Sequence, residues 1–188
     1  KKLLYLVIAI STILHAQTFK EVNKKYSPAC VRIFTQIYDP ILDENVGGCG
    51  SGFIINSNGI IVTNHHVIDG AQEIIVQLSN DEEYRVQGFY VINESLDFVI
   101  LKIPAFDLPT VKLGNSKFME VTDPVATIGN PMCQYGSTMS NNTFSSGEIS
   151  QLFISPSLDG KLQKVNWIKI NAPISPGSSG GPLFNLRG

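Results

Sequence analysis

The chain has 188 residues, 14 Lys and Arg against 16 Asp and Glu, and a formal net charge of −2. No basic cluster interrupts that balance, which argues against nucleic acid and anionic membrane surfaces as partners. Three cysteines, Cys30, Cys49 and Cys133, allow at most one internal bridge and exclude a disulfide scaffold.

Lys1 and Lys2 precede an apolar run from Leu3 to Leu14. A basic start and an apolar stretch too short to span a bilayer read as an export signal over residues 1–16, with Ala16 last before cleavage. About 170 residues then remain, enough for one large domain or two small ones. A short helix is expected over Phe19–Lys25. Beyond it, short apolar or alternating runs predict strands over Cys30–Ile37, Ser51–Ile55, Ile60–Thr63, Glu73–Leu78, Tyr84–Ile92 and Phe98–Ile103. Asn56-Ser57-Asn58-Gly59 predicts a hairpin turn, and a polar turn is expected over Asn80–Glu83. Pro104 to Lys112 carries two prolines and reads as a link. A second group of strands follows over Val125–Ile128, Gly147–Phe153 and Trp167–Ile170. Many short strands at close spacing predict an all-β fold of barrels or a sandwich rather than βαβ units. Asn93-Glu94-Ser95 and Asn141-Asn142-Thr143 fit the glycosylation sequon.

Gly177-Ser178-Ser179-Gly180-Gly181-Pro182 places a serine between glycines, where backbone N–H groups can converge on an oxyanion. Acyl transfer by such a serine needs a base and a group that orients the base. His65 and His66 end the run Gly59 to Asn64; as neighbours on a continuing strand they would face opposite ways, so one of them faces a cleft. That divergence also disfavours a two-histidine metal site, and no metal or organic cofactor is expected. Asp97 directly precedes the apolar strand Phe98-Val99-Ile100-Leu101, where a carboxylate needs a partner such as an imidazole N–H.

These residues and their flanks resemble the chymotrypsin-like serine proteases, and more closely the exported HtrA/Deg branch. The resemblance rests on Gly50-Ser51-Gly52-Phe53-Ile54-Ile55, on Gly59 to Val67, on Leu96 to Ile103, and on Ala172 to Leu183. Leu113-Gly114-Asn115-Ser116, Ile128-Gly129-Asn130-Pro131 and Ser146 to Ser150 match further landmarks. The resemblance implies two antiparallel Greek-key β-barrels over residues 17–110 and 111–188, the second incomplete at the C-terminal side. It makes Ser179 the nucleophile, His66 the base, Asp97 its orienter, and the loop of Gly177, Ser178 and Ser179 the oxyanion hole. Ile174 would line the primary pocket and favour small or medium aliphatic side chains. The substrates would be unfolded or extended polypeptides, in the periplasm or outside the cell. A homotrimer through Phe19 or Tyr26 is implied, and a regulatory PDZ domain is left open. The chain departs from the pattern at Ser178, where Asn is usual, and at Asn171, where many members have Asp. Strands that follow the nucleophile loop in the family would close the second barrel, so the 188 residues alone are expected to be unstable or inactive. A catalytically silent chaperone or peptide-binding protein on the same fold is the alternative. An esterase is disfavoured, because its serine elbow belongs to a βαβ fold.

Overall fold

The computed structural model describes residues 18–39, 41, 43–131, 142–157 and 159–188; the expected leader at 1–16, Cys133 and Asn141 lie outside them. Helix α1 (Phe19–Tyr26) starts where Thr18 and Glu21 cap each other reciprocally: the Thr18 N–H donates to Glu21 Oε2 at 2.7 Å, and the Glu21 N–H donates to Thr18 Oγ1 at 3.4 Å. Lys24 and Lys25 lie in its last turn, where positive charge complements the helix dipole. Val22 and Tyr26, one turn apart, are its buried face. They pack with Ala29, Cys30, Val111, Ile128 and Phe184. The helix therefore seats on strands that follow much later in the chain. Tyr26 stacks on Phe184 at 5.1 Å between ring centroids, and Phe19 meets Phe144 at 5.9 Å. Tyr26 is 4% exposed, so the subunit contact expected of it is corrected: its ring is spent within the chain.

Seven strands form the first sheet: β1 (Cys30–Asp39), β2 (Glu44–Asn56), β3 (Ile60–Thr63), β4 (Glu73–Gln77), β5 (Glu83–Arg85), β6 (Gly88–Asn93) and β7 (Phe98–Lys102). Their order is β5-β4-β1-β2-β3-β7-β6, antiparallel throughout. The single strand expected over 84–92 is in fact β5 and β6, because the chain changes partner between them. The Val86 N–H donates to Ile74 O at 3.1 Å, and the Gln87 N–H to Lys102 O at 2.8 Å. The two ends of the sheet are thus halves of one bent segment, and the sheet closes on itself. β2 starts earlier than its glycines suggest, since the ladder with β1 runs on to Asp39 opposite Glu44. The β2–β3 turn forms as expected, with the Gly59 N–H on Asn56 O at 3.0 Å.

Alternate residues of these strands fill the interior. Ile33, Ile54, Ile61, Val76, Val99 and Leu101 are fully buried, each contributing about 1.5–3 kcal/mol by leaving water. The expected link carries no strand, and lies along the β2–β3 hairpin through Leu108 N–H to Ser57 O at 3.1 Å and Val111 N–H to Ile54 O at 2.9 Å.

The second sheet is made of β8 (Pro124–Gly129), β9 (Thr143–Ser155), β10 (Val165–Ile170) and β11 (Leu183–Asn185), in the order β10-β9-β8-β11, and it is open among the described residues. The all-β antiparallel architecture expected from the sequence is the one observed, with one closed sheet and one open one.

Cys30 is free and buried, whereas Cys49 is disulfide-bonded. Burial pushes the Cys30 thiol up from 9.0 to about 12. Between those values the unfolded thiol has lost its proton and the folded one has kept it, so rising pH favours unfolding. The melting temperature is expected to fall more steeply between about pH 9 and about pH 11 in the wild type than in Cys30→Ala, measured by circular dichroism.

Candidate active site

Strand β3 ends at Thr63, and the chain turns directly into a one-turn helix, α2 (His65–Ile68). The two histidines therefore diverge around a helical turn, not along a strand. Asn64 sits at the N-cap of α2, yet its side chain makes no capping bond. It donates instead to the Asp97 carbonyl oxygen at 2.7 Å. This places the start of α2 against the turn before β7, where Asp97 has a left-handed backbone, φ 51°. Asp is one of the few residues with a side chain that tolerates that region. The Asp97 N–H closes the turn on Glu94 O at 3.1 Å.

The Asp97 carboxylate holds His66 at two points. Oδ1 accepts the His66 backbone N–H at 2.8 Å, and Oδ2 lies 2.7 Å from Nδ1. A carboxylate only accepts, so in the neutral ring Nδ1 bears the proton and Nε2 is left with its lone pair. The Asp97 side chain is 22% exposed and that of His66 57%, so the pair lies at the surface with its acid on the inner side.

The serine loop is shaped by two successive turns. The Ser178 N–H donates to Ser175 O at 3.1 Å, and the Gly181 N–H donates to Ser178 O at 3.0 Å. Gly177 (φ 93°) and Gly180 (φ 84°) both take backbone conformations that a side chain strains. Two further bonds fasten the loop to the first sheet: the Ser51 N–H donates to Ser179 O at 2.7 Å, and Ser51 Oγ donates to Gly177 O at 2.7 Å. A Cβ built on Gly50 would lie 2.6 Å from Val67 Cγ1 and 3.2 Å from Ser179 O. The residue after His66 and the backbone of Ser179 therefore converge on one point of β2.

Ahead of the loop, Asn171 Oδ1 accepts the Glu148 N–H at 2.7 Å and the Asn171 N–H donates to Glu148 O at 3.1 Å. The side chain acts there as an acceptor, a task Asp performs equally well. Ser145 Oγ donates to Pro173 O at 2.6 Å and ties down the segment leading to Ile174, which is 60% exposed. Among the described residues, no group of three or more His, Cys, Asp or Glu side chains is placed to hold a metal ion. Sequence reasoning missed the tasks of Asn64 and Ser51. An Asn between a strand and a helical turn is a local signal for the first; nothing local marks the second.

Residues 50–188 match the trypsin-like peptidase domain family. The serine protease HhoA of Synechocystis is 36% identical over 86% of the chain and 46% of its own length. A DegP-like periplasmic serine endoprotease of Pseudomonas savastanoi is 42% identical over 74% of the chain and 27% of its own length. The HtrA-type protease AlgW, solved with a tripeptide, superposes with a TM-score of 0.73 at 28% identity, covering 90% of this chain and 51% of AlgW. The chain thus spans about half or less of the length of the relatives it matches. A closed antiparallel sheet, an open second one and a serine loop docked between them accord with these likenesses, and the chain belongs to the trypsin-like peptidase domain family, with HtrA-type proteases among the proteins it resembles.

Proposed function

We propose that the protein hydrolyses peptide bonds in unfolded or misfolded exported polypeptides through an acyl-enzyme on Ser179. The observation that carries this reading is the two-point hold of Asp97 on His66, which leaves Nε2 as the free base. In this mechanism Ser179 Oγ attacks the scissile carbonyl carbon while its proton passes to His66 Nε2. The imidazolium is stabilised by Asp97 and gives that proton to the leaving amine as the C–N bond breaks. Water then attacks the ester carbon while passing a proton to Nε2, and His66 returns that proton to Ser179 Oγ as the C–O bond breaks, releasing the acid and the free serine.

The tetrahedral oxyanion is assigned to the N–H groups of Gly177 and Ser179. Neither donates to a backbone partner among the described residues, whereas the Ser178 N–H is used in its turn. Ser178 thus acts as a spacer, a role that its exchange for Asn leaves untouched. Ile174 forms a wall of the primary pocket, and an aliphatic wall discriminates by only about ten- to two-hundred-fold per methylene. Export to the periplasm accords with the names of the DegP-like relatives and with the leader expected at 1–16.

A fluorophosphonate probe tests the reading. Labelling of Ser179 in the complete folded protein, with cleavage of unfolded casein, is expected; a complete folded protein that takes no label is the silent binder instead. Asp97→Asn is expected to lower kcat by about four orders of magnitude, because the amide favours the wrong imidazole tautomer. Peptide cleavage assays against wild type check this.

A further inference from the structure

Ser51 makes four hydrogen bonds from a fully buried position. Its backbone N–H holds Ser179 O at 2.7 Å, and its carbonyl accepts Thr63 Oγ1 at 2.6 Å. Its hydroxyl accepts the Asn130 N–H at 2.8 Å and donates to Gly177 O at 2.7 Å. One residue of β2 thus joins β3, the end of β8 and two residues of the nucleophile loop.

We propose that Ser51 is a positioning residue for the oxyanion hole, acting through the peptide plane between Gly177 and Ser178. The proposal rests on the protease reading above. That plane is held at both ends: its oxygen by the Ser51 hydroxyl, its N–H by Ser175 O at 3.1 Å. The two N–H groups assigned to the oxyanion belong to the peptides on either side of it. Gly177 has no side chain to restrict rotation, so the conformation must be imposed from outside. A rotated plane would turn a carbonyl oxygen toward the developing negative charge and pull the flanking donors out of line.

A serine hydroxyl fits this task. It has one proton to give and lone pairs to receive, and the Asn130 N–H occupies the accepting side, so its proton is directed at Gly177. With no exposure at Ser51, water has no route to replace the hydroxyl once it is removed. Asn130 itself is 4% exposed, and its side chain donates to Val31 O at 3.3 Å, which fixes the N–H that orients the hydroxyl.

The test compares wild type, Ser51→Ala and Ser51→Cys for kcat and KM on a peptide amide, for affinity toward a peptide aldehyde, and for melting temperature. The aldehyde forms a hemiacetal with Ser179 and so reports on the oxyanion site, whereas KM reports largely on substrate docking. Ser51→Ala is expected to lower kcat by about tenfold to a hundredfold and to weaken aldehyde binding by a like factor, with KM nearly unchanged. Ser51→Cys, a weak donor of similar size, is expected to fall between the two. Wild-type kcat and aldehyde affinity in folded Ser51→Ala overturn the proposal, as does a loss confined to KM. If Ser51→Ala does not fold, Ser51→Cys decides: a reduced kcat at unchanged KM supports the role, and an undiminished kcat removes it. A folded wild type that takes no fluorophosphonate at Ser179 removes the protease reading and this role together, an outcome distinct from failure of the Ser51 variants alone.

Discussion

Ser179→Ala is expected to abolish peptide cleavage, lowering kcat by about four to six orders of magnitude, while the fold and peptide affinity persist. The serine side chain is the attacking group in the proposed chemistry, yet the loop is held by its backbone. Ser179 O accepts from Ser51, Gly177 O from the Ser51 hydroxyl, and the turns close through Ser178 and Gly181. None of these bonds uses Ser179 Oγ. Removing the hydroxyl therefore deletes the nucleophile and leaves its setting. His66→Ala is expected to match it closely, because nucleophile and base act as one unit and their losses do not add. Cleavage rates of a peptide amide, with circular dichroism to confirm the fold, provide the measurement. A Ser179→Ala protein that still cleaves at a hundredth of the wild-type rate would refute the assignment.

Gly180→Ala should have the largest effect on stability. At φ 84° a side chain costs about 1–2 kcal/mol before any contact is considered. The added Cβ would also lie 2.2 Å from both Ser51 O and Thr63 Oγ1, and 3.0 Å from the Asn64 backbone nitrogen. Neither Ser51 nor Thr63 has space to retreat, at 0% and 2% exposure. The loop must lift away from β2 and β3, breaking the bonds from Ser51 to Ser179 O and Gly177 O. The expected loss is on the order of 3–5 kcal/mol, with activity lost alongside it. Denaturant unfolding checks the first figure, and fluorophosphonate labelling the second. A near-wild-type midpoint with labelled Ser179 would show that the loop adjusts more cheaply than these distances imply.

Much of this site was legible in the sequence because its chemistry is tied to local patterns. Ser179 lies among glycines, Asp97 precedes an apolar strand, and His66 follows one. The structure brings His66 and Asp97 within hydrogen-bond reach and docks the Ser179 backbone on β2, near the residue that follows His66. The strands that alternate cleanly, such as β3 and β7, were readable for the same reason: one face is buried and the other is not. Long-range choices were not legible. The division of 84–92 into two strands depends on which neighbour each residue pairs with, and Gly88, the local mark beside the break, does not tell that the chain passes from β4 to β7. β11 is three residues long, and exists because Thr127, Ala126 and Val125 offer a ladder to it. The task of Ser51 is set by groups 79 and 126 residues away. An isolated Gly-Ser-Gly carries no trace of them. A short turn is readable after His66, but the helix begins at His65, because the strand ends at Thr63 and Asn64 takes the N-cap position.

The closure of the first sheet bears on how other chains can add to this one. An exposed sheet edge is a row of unpaired N–H and C=O groups, open to any extended polypeptide. In the first half the terminal strands β5 and β6 are one bent segment, so that row is largely consumed at the corner of Val86 and Gln87. Among the described residues the terminal strands of the second sheet are β10 and β11. β10 leads into the Ser179 loop and β11 leaves it. A polypeptide that adds by backbone pairing therefore finds little to pair with on the closed half.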